Sequence, residues 1–278
     1  MQEILPNQLP PTTVPTSRLH GFASARLNQR IVPLLSVLFL LVVWQIVTML
    51  KLYPAFIIPP PVAVLNKFVE VIADGSLWLH TSTTLFAVLV GLAVGLGIGV
   101  TLGYLIAKNP LLENLLSPLI VAFQSMPVVA YAPLLIIWFG SGPTSKIVTS
   151  ALIVFFPMLM NTIVGIRNVP TPLRDLMRSM KATRWQTFSK LEIPAAMPVL
   201  IGGLKISATL AVIGAVVGEF VSANAGLGFL ISLARSQYDT PLVIVAVLTL
   251  TLIARLLYSV VSLLERRVLS WQKHAQHS

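Results

Sequence analysis

The feature that most constrains this chain is a series of uncharged apolar runs that are long enough to cross a membrane. The run from Thr81 to Ala107 contains no charged residue, and neither does the run from Ile31 to Leu50. About twenty apolar residues in a helix cross the roughly 30 Å of bilayer hydrocarbon. Only 10% of the residues are charged, whereas an ordinary soluble domain carries about 25%. We therefore predict an all-α membrane protein.

Six candidate spans follow one another along the chain, and the third is interrupted by prolines. Pro118, Pro127 and Pro133 lie inside it, so it must be kinked or broken. Backbone groups freed at such a break are tolerated only against protein or a water-filled cavity. The segment from Gln124 to Pro133, including Tyr131, is therefore a candidate lining of a solute pathway, although a kink buried in the bundle would show the same pattern. The predicted spans are residues 31–50, 81–107, 114–145, 146–166, 199–220 and 242–264.

Three charged residues lie within or at the edge of these spans. Lys205 and Arg255 both lie within reach of one end of their helices, so their long side chains can extend to the membrane interface. Glu219 lies near the opposite end of its span, where it either packs inside the bundle or faces an entrance for solute. Charges in a membrane are functional candidates by default, so all three join the candidate pathway, with structural pairing as the alternative.

Four glycines mark one face of the second span. Gly91, Gly95, Gly99 and Gly103 recur every four residues, a spacing that places them on the same side of a helix. Small residues at this spacing let another helix approach closely, and four glycines in register rarely arise by chance. We predict a helix-packing face that carries no chemistry.

The basic residues are distributed unevenly about the spans. If both termini lie on one side, that side holds three basic residues in the N-terminal segment, Lys108, six in the loop of residues 167–197 and three after the last span, which is thirteen of the nineteen. The opposite side holds four, and Lys205 and Arg255 lie within spans. Cytoplasmic segments carry the excess of Lys and Arg. The loop and both termini are therefore predicted to be cytosolic.

The ends of the chain differ in character from the spans. Residues 1–30 contain Pro6, Pro10, Pro11 and Pro15 among polar residues, which predicts a disordered tail without a packing pattern. The predicted organisation is a cytosolic tail at residues 1–30, a transmembrane domain at residues 31–270 with the loop at 167–197, and a short cytosolic tail at residues 271–278.

The loop of residues 167–197 is the only long polar segment between apolar runs. Its first half carries apolar residues at the spacing of one helix face, with Thr171 as a candidate N-cap. These apolar residues are Leu173, Leu176, Met177 and Met180.

The second half of the loop predicts another short helix. Thr183 and Gln186 fit a capping box, Trp185 lies on the apolar face, and Pro194 should end the helix, since proline disfavours helix in the residue before it. Two short amphipathic helices could contact a soluble partner. A solvated loop lying on lipid headgroups would show the same pattern.

Several chemistries find no support in the sequence. The chain has no cysteine, its four histidines are scattered, and no phosphate-cradling Gly-x-x-x-x-Gly-Lys-Ser/Thr motif is present. We therefore expect no metal, no catalytic residue and no nucleic-acid partner. A membrane-embedded enzyme with its active site in the loop, or an assembly scaffold, stays as the alternative from another class.

The loop and its flanking segments resemble the permease subunits of bacterial ABC importers, and within them the taurine, sulfonate and nitrate type. Four segments carry the resemblance, which covers about residues 31–270. They are RWQTFSKLEIPAAMPVLIGGLKIS at Arg184–Ser207, VIGAVVGEF at Val212–Phe220, GLGFLI at Gly226–Ile231 and PLLIIWFGSGPTSK at Pro133–Lys146.

In that family the loop is the cytosolic EAA loop, which docks on the ATP-binding subunit. The family's Glu-Ala-Ala falls on Asp175, Leu176 and Met177, its glycine on Lys181, and its Leu-Pro on Ile193 and Pro194. The acid is thus shortened, the alanines are larger and the glycine is lost. The resemblance implies that the following residues contact the ATPase subunit: Asp175, Leu176, Met177, Lys181, Ala182, Thr183, Trp185 and Pro194.

The resemblance also implies a mechanism and a set of partners. Two copies of the permease would pair, which the glycine face could support, and two ATPase subunits would drive alternating access from the cytosol. ATP and Mg²⁺ would bind the ATPase subunits, so this chain needs no cofactor. An external binding protein would deliver solute to a multi-pass protein of the bacterial inner membrane. The implied solute is a sulfonate, taurine or nitrate-type anion, with a thiamine-precursor pyrimidine or riboflavin as the alternative.

Overall fold

The computed structural model describes residues 22–221 and 223–270, and every element in these residues is helical. The described residues fall into two units, divided between Tyr53 and Pro54. The first unit contains α1 (Phe22–Met49). The helices of the second unit are α2 (Pro61–Ala73), α3 (Ser76–Lys108), α4 (Pro110–Gln124), α5 (Val128–Phe139), α6 (Pro143–Arg167), α7 (Thr171–Ser179), α8 (Arg184–Thr187), α9 (Ile193–Val221), α10 (Leu227–Ser236) and α11 (Thr240–Val268), with a π-helical turn at Phe188–Glu192.

Helix α1 contains the first predicted span but begins earlier than its apolar run. It starts at Phe22, so residues 22–30 are helical, contrary to the prediction of a disordered tail up to residue 30. The prolines on which that prediction rested end at Pro15, and residues 22–30 include Ala, Leu, Arg and Gln, which favour helix. Residues 1–21 and the C-terminal tail at 271–278 lie outside the described residues.

Four helices of the second unit are long and apolar enough to cross a membrane. They are α3, α6, the continuous helix Arg184–Val221 that contains α8 and α9, and α11. Helices α4 and α5 form a fifth candidate, but they are bent by 99° at a break of at most four residues. The third predicted span is therefore broken, as its prolines indicated. In α1 the described apolar stretch is Leu35–Met49, so a total of six spans stays a prediction.

The centre of the second unit is α6, which packs between α3 and α9. The glycine face of α3 lies directly on α6: a Cβ added at Gly91 would lie 2.5 Å from Ser150 Cβ, and one at Gly95 would lie 2.6 Å from the Ala151 carbonyl oxygen. Gly99 and Gly103 meet α6 in the same way. This stripe is therefore filled by the same chain, and the suggestion that it could support pairing with a second copy is wrong.

Helix α9 approaches the other side of α6 just as closely. A Cβ added at Gly214 would lie 2.6 Å from Ser150 Cα, and one at Gly218 would lie 3.0 Å from Lys146 Cα. Ser150 also donates a hydrogen bond to the Ala211 carbonyl oxygen at 3.0 Å. Small residues on both neighbours thus let three long helices pack with their backbones in near contact.

Candidate functional site

The connection between α6 and α9 begins with α7, an amphipathic helix of nine residues. Pro170 occupies the N-cap position without a side-chain hydrogen bond, so Thr171 lies in the first turn and does not cap the helix as predicted. At the other end the Lys181 N–H donates to the Arg178 carbonyl oxygen at 2.9 Å, and the Ala182 N–H donates to the Met177 carbonyl oxygen at 3.0 Å. These two bonds form a Schellman motif.

Lys181, where the resemblance implies a glycine, adopts a backbone conformation that favours glycine. Lys181 has φ of +53°, which is the left-handed region that the position after a Schellman helix end requires. A non-glycine residue there costs about 1 kcal/mol. The turn after α7 thus forms with a lysine at the position that favours glycine.

The second half of the connection starts with the capping box at Thr183 and Gln186. The Gln186 N–H donates to Thr183 Oγ1 at 3.2 Å, and the Thr183 N–H donates to Gln186 Oε1 at 2.8 Å. Helix α8 then continues through the π-helical turn into α9 without a break. The prediction that Pro194 ends this helix is wrong.

The wide π turn gives the physical reason for that continuity. The Ile193 N–H donates to the Phe188 carbonyl oxygen, five residues earlier, so the hydrogen-bond register shifts just before the proline. Such one-turn bulges accommodate a residue that would otherwise clash. Pro194 is the second residue of α9 and directly follows this shift in register.

One face of this connection is apolar, and no residue that the structure describes covers it. Leu176 on α7 and Met180 at the C-cap of that helix are exposed, Met180 to 69%, and Trp185 on α8 is 72% exposed. Asp175 lies among them with its carboxylate 3.6 Å from the Arg178 guanidinium, and both side chains are exposed. Met177 and Ala182 are only half-buried. Apolar side chains of this size on an otherwise polar segment are typical of a contact surface.

A buried carboxylate ties this connection to the end of α3. Glu192 is 1% exposed; it accepts a hydrogen bond from the Tyr104 hydroxyl at 3.0 Å and forms an ion pair with Lys108. The Tyr104 ring meets Phe188 edge-on with centroids 5.0 Å apart, and Phe188 lies 5.4 Å from Trp185. The connection is therefore anchored to the long helix α3.

Sequence reasoning missed this anchor. Tyr104 and Lys108 lie 88 and 84 residues from Glu192, and no local pattern joins them. The one available signal was Glu192 itself, a lone acid between two apolar residues at the start of a span.

A second buried carboxylate, Glu219, lies near the other end of α9. Thr84 Oγ1 on α3 donates to it at 2.8 Å, and the Gly228 N–H donates to Glu219 Oε2 at 2.7 Å. Thr84 Oγ1 in turn accepts from the Leu227 N–H at 2.7 Å. Since Glu219 is 1% exposed, the interpretation that packs it inside the bundle applies, and it does not face an entrance in this structure.

The segment before α10 is held to the same place by two further side chains. The Gly226 N–H donates to His80 Nδ1 at 3.1 Å, and Lys146 Nζ donates to the Ala225 carbonyl oxygen at 3.2 Å. Gly226 has φ of +120°, and a Cβ there would lie 2.3 Å from Glu219 Cδ. The GLG sequence is therefore required by the carboxylate against which it packs.

The remaining candidate pathway residues fall into two separate places. Gln124 ends α4 and Pro127 precedes α5, so both lie at the 99° bend and are exposed, while Tyr131 on α5 is half-buried. Lys205 forms an ion pair with Glu265 on α11. Arg255 is exposed, with its guanidinium 5.9 Å from the Tyr258 ring centroid.

The structure thus does not bring the candidate pathway residues to one site. Lys205 and Arg255 share Tyr258, since Lys205 Nζ lies 5.8 Å from the same ring, whereas Glu219 belongs to its own network. Within the described residues no group of three or more His, Cys, Asp or Glu could hold a metal ion.

Comparisons with known proteins show which family the chain resembles. The family described as binding-protein-dependent transport system inner membrane component matches residues 95–270. The chain is 48% identical to the riboflavin transport system permease protein RibX of Chloroflexus aurantiacus, over 85% of this chain and 88% of the relative. It is 34% identical to the formylaminopyrimidine transport permease protein ThiX of Halalkalibacterium halodurans, over 89% and 98%.

Two further comparisons agree with this assignment. The chain is 33% identical to the putative aliphatic sulfonates transport permease protein SsuC of Bacillus subtilis, over 84% of each chain. Among solved structures, an inward-facing conformation of the MetNI methionine ABC transporter matches 70% of this chain and 95% of its own chain, with a TM-score of 0.57 and 23% identity. This structural likeness supports the fold. The chain belongs to the family of binding-protein-dependent transport system inner membrane components and is a multi-pass permease subunit of an ABC importer, not an enzyme.

Proposed function

We propose that this chain forms the membrane pathway of an importer powered by separate ATPase subunits. It would cross the inner membrane six times, with both termini and the connection between α6 and α9 in the cytosol, and would act as a pair of identical copies. Two ATPase subunits carrying ATP and Mg²⁺ would bind the connection, and an extracytoplasmic binding protein would supply solute. Alternating access would then move the solute inward.

The observation that carries this proposal is the exposed apolar face of α7 and α8 on a connection that is joined to α3. Leu176, Met180 and Trp185 offer a surface that nothing in the described chain covers. The helix from Arg184 to Val221 is continuous, so a displacement applied at α8 is transmitted along a span. The ion pair of Glu192 with Lys108 keeps the connection joined to α3.

The charge of the connection supports its cytosolic side. Six basic residues lie between Arg167 and Lys190, and cytoplasmic segments of membrane proteins carry such an excess. The proposed pairing of two copies needs a surface other than the glycine stripe, since α6 covers that stripe. Many apolar side chains outside it are exposed, among them those of α5 and α11.

The docking role predicts the effect of a charge reversal at α7. Asp175→Lys should lower ATP-driven uptake by about tenfold or more, because a like charge at a contact costs several kcal/mol and about 1.4 kcal/mol is already a factor of ten. The fold should be unaffected, since Asp175 is 67% exposed. Uptake into proteoliposomes and copurification with the ATPase subunit would both be measured.

Glu70→Lys is the matched control for that variant. Glu70 is 62% exposed and, like Asp175, pairs with a cation three residues away in its helix, here Lys67. It lies on α2, outside the connection. Normal uptake by Asp175→Lys, or an equal loss in both variants, would remove the support for docking at α7.

For the solute, we propose a heteroaromatic compound of the riboflavin or pyrimidine type ahead of a sulfonate-type anion. The identity to the riboflavin permease is 48%, against 33% for the sulfonate permease. The candidate cation Lys205 is neutralised by Glu265, which weakens the case for an anion. An aromatic side chain, Tyr131, is instead half-buried beyond the α4–α5 bend.

Binding-protein selectivity would test the solute assignment. The companion binding protein would be screened by thermal shift against riboflavin, a formylaminopyrimidine, taurine, an alkanesulfonate and nitrate. Stabilisation by riboflavin or the pyrimidine is the expected result. Stabilisation by the anions alone would overturn the heteroaromatic assignment and restore the sulfonate-type prediction, while the permease assignment would stand in both cases.

A further inference from the structure

Two grooves meet where α3 ends beside the connection. The first has a volume of about 410 Å³ and an almost wholly apolar lining that includes Val100, Leu105 and Phe188. The second has a volume of about 620 Å³ and a mainly polar lining. Tyr104 and Arg184 line both grooves, so the two lie side by side, and each volume lies in the range of small-molecule sites.

The polar groove carries more positive than negative charge. Its lining includes Lys108, Arg174, Arg178 and Arg184 but only one acid, Glu192. Lys108 pairs with that acid. Within the part of the chain that the structure describes, the Arg184 side chain has no ion-pair partner, so the groove keeps unneutralised positive charge.

One of these cations also holds an unused donor inside the protein. Arg174 Nη2 donates to the Ile166 carbonyl oxygen at 2.5 Å, but its Nε is buried and has no hydrogen-bond partner in the described chain. An unsatisfied buried donor on a charged group is costly. The described chain thus satisfies the Arg174 guanidinium only in part.

The grooves open at the level of a membrane interface. Lys108 is the last residue of α3, a helix of 33 residues with an apolar span. The long helix from Arg184 to Val221 begins beside it. Trp185, which lines the apolar groove and is largely exposed, is of a type enriched at membrane interfaces. We therefore expect lipid headgroups beside the polar groove and acyl chains beside the apolar one.

We propose that the two grooves together bind one anionic phospholipid. Its phosphate would lie among Lys108, Arg174, Arg178 and Arg184, because guanidinium groups pair with phosphate oxygens through two hydrogen bonds. An acyl chain would fill the apolar groove, where each buried CH₂ group contributes favourably. An acidic segment of a partner protein would match the cations but would leave the apolar groove empty.

A bound phosphate would join three helices through their basic side chains. Lys108 lies on α3, Arg174 and Arg178 on α7, and Arg184 on α8. The lipid would therefore fix the connection against α3 at the place where Glu192 already anchors it. Basic pockets between membrane helices bind anionic headgroups in this way.

Native mass spectrometry of the full-length chain in a neutral detergent would test the proposal. Phosphatidylglycerol and phosphatidylcholine with identical acyl chains would be titrated separately. We expect one phosphatidylglycerol per chain, bound about tenfold more tightly than phosphatidylcholine, which corresponds to about 1.4 kcal/mol. The double variant Arg178→Gln/Arg184→Gln should lose about tenfold in affinity for phosphatidylglycerol and little for phosphatidylcholine.

Two further variants test whether a loss of binding is specific to the cations of the groove. Lys190→Gln removes an exposed cation of the same connection that lines neither groove and should leave binding unchanged. Arg184→Gln alone breaks no described ion pair, so it keeps the test valid if the double variant does not fold. Equal binding of both lipids, or an equal loss in Lys190→Gln, would overturn the proposal.

Two further measurements distinguish a lipid phosphate from a free phosphate and from an acidic protein partner. Inorganic phosphate and glycerol 3-phosphate should bind at least tenfold more weakly than phosphatidylglycerol, because neither fills the apolar groove. Equal binding of either would assign the site to a free phosphate and overturn the lipid. Displacement of bound phosphatidylglycerol by the ATPase subunit, together with loss of copurification in Arg184→Gln, would assign the groove to the protein partner instead.

Discussion

One buried carboxylate directly precedes α9 and another lies near its far end, but the two are stabilised differently. Glu192 and Glu219 are 27 residues apart, which is about 40 Å along a helix, and both are 1% exposed. Glu192 is satisfied by side chains, the Tyr104 hydroxyl and the Lys108 ammonium. Glu219 is satisfied by the Thr84 hydroxyl and the Gly228 backbone N–H.

This difference separates an adjustable end from a fixed one. Lys108 is 38% exposed, so a flexible side chain beside a polar groove can keep its pairing while the connection moves. At Glu219 the partner is backbone packed so closely that Gly226 and Gly228 have no room for a Cβ. Movement at that end would have to break the network. We infer that the end at Glu192, which is proposed to face the ATPase subunits, adapts while the opposite end holds its geometry.

The largest effect should come from filling the space beside Glu219. Gly226→Ala places a Cβ 2.3 Å from Glu219 Cδ and also strains a residue at φ +120°, so we expect a destabilisation of about 4 kcal/mol or more. Gly75→Ala is the control, because Gly75 has φ of +77° but no atom within 4 Å of the added Cβ. The thermal unfolding of the two variants would be compared, with size-exclusion chromatography as the readout. A similar loss in both would mean that backbone strain alone, and not the carboxylate, requires the glycine.

Removing the cation that pairs with Glu192 should destabilise the protein somewhat less than Gly226→Ala does. Lys108→Met leaves the buried Glu192 without its charged partner, which typically costs about 3 kcal/mol. Adding Glu192→Gln should restore most of the lost thermal stability, since no uncompensated charge then remains buried. If the single variant unfolds at the temperature of the native chain, the ion pair does not anchor the connection.

Deleting one hydroxyl at each end compares the two networks directly. Thr84→Val leaves both the Leu227 N–H and Glu219 short of a partner and should cost about 1–3 kcal/mol. Tyr104→Phe removes one hydrogen bond from Glu192, which keeps Lys108, and should cost about 1 kcal/mol. The same unfolding measurement applies to both variants. Equal losses would contradict the distinction between a fixed and an adjustable end.

The smallest expected effect is a small increase in stability. Lys181→Gly removes the strain of a side chain at φ +53° and should stabilise the helix end by up to about 1 kcal/mol, partly offset by the greater flexibility of glycine in the unfolded chain. The turn itself should be unchanged, because the Schellman bonds involve only backbone. A marked destabilisation would show that the Lys181 side chain itself holds the connection.

Much of the fold follows from local patterns in the sequence. The apolar runs predicted α3, α6 and α11, and Pro118, Pro127 and Pro133 predicted a broken third span. The capping box at Thr183 also formed where its spacing indicated. Each of these depends on residues within one or two turns of one another, so a single sequence is enough to reveal them.

Other features escaped prediction because they depend on contacts between distant segments. The glycine stripe faces α6 and not a second copy, and Pro194 lies inside a continuous helix because a π turn precedes it. Glu219 was a candidate for a solute entrance, yet a hydroxyl from α3 and the backbone of α10 enclose it. Periodicity shows which face of a helix is special but not what covers that face.

The sequence by itself determined that this is a helical membrane protein of the ABC importer permease family, since run length, charge asymmetry and short motifs are properties of the linear chain. Only the tertiary structure decided the partners of the buried charges, because Tyr104 and Lys108 reach Glu192 from 88 and 84 residues away, and Thr84 reaches Glu219 from 135. A buried carboxylate must be compensated by some partner, but which partner is set by how the helices pack.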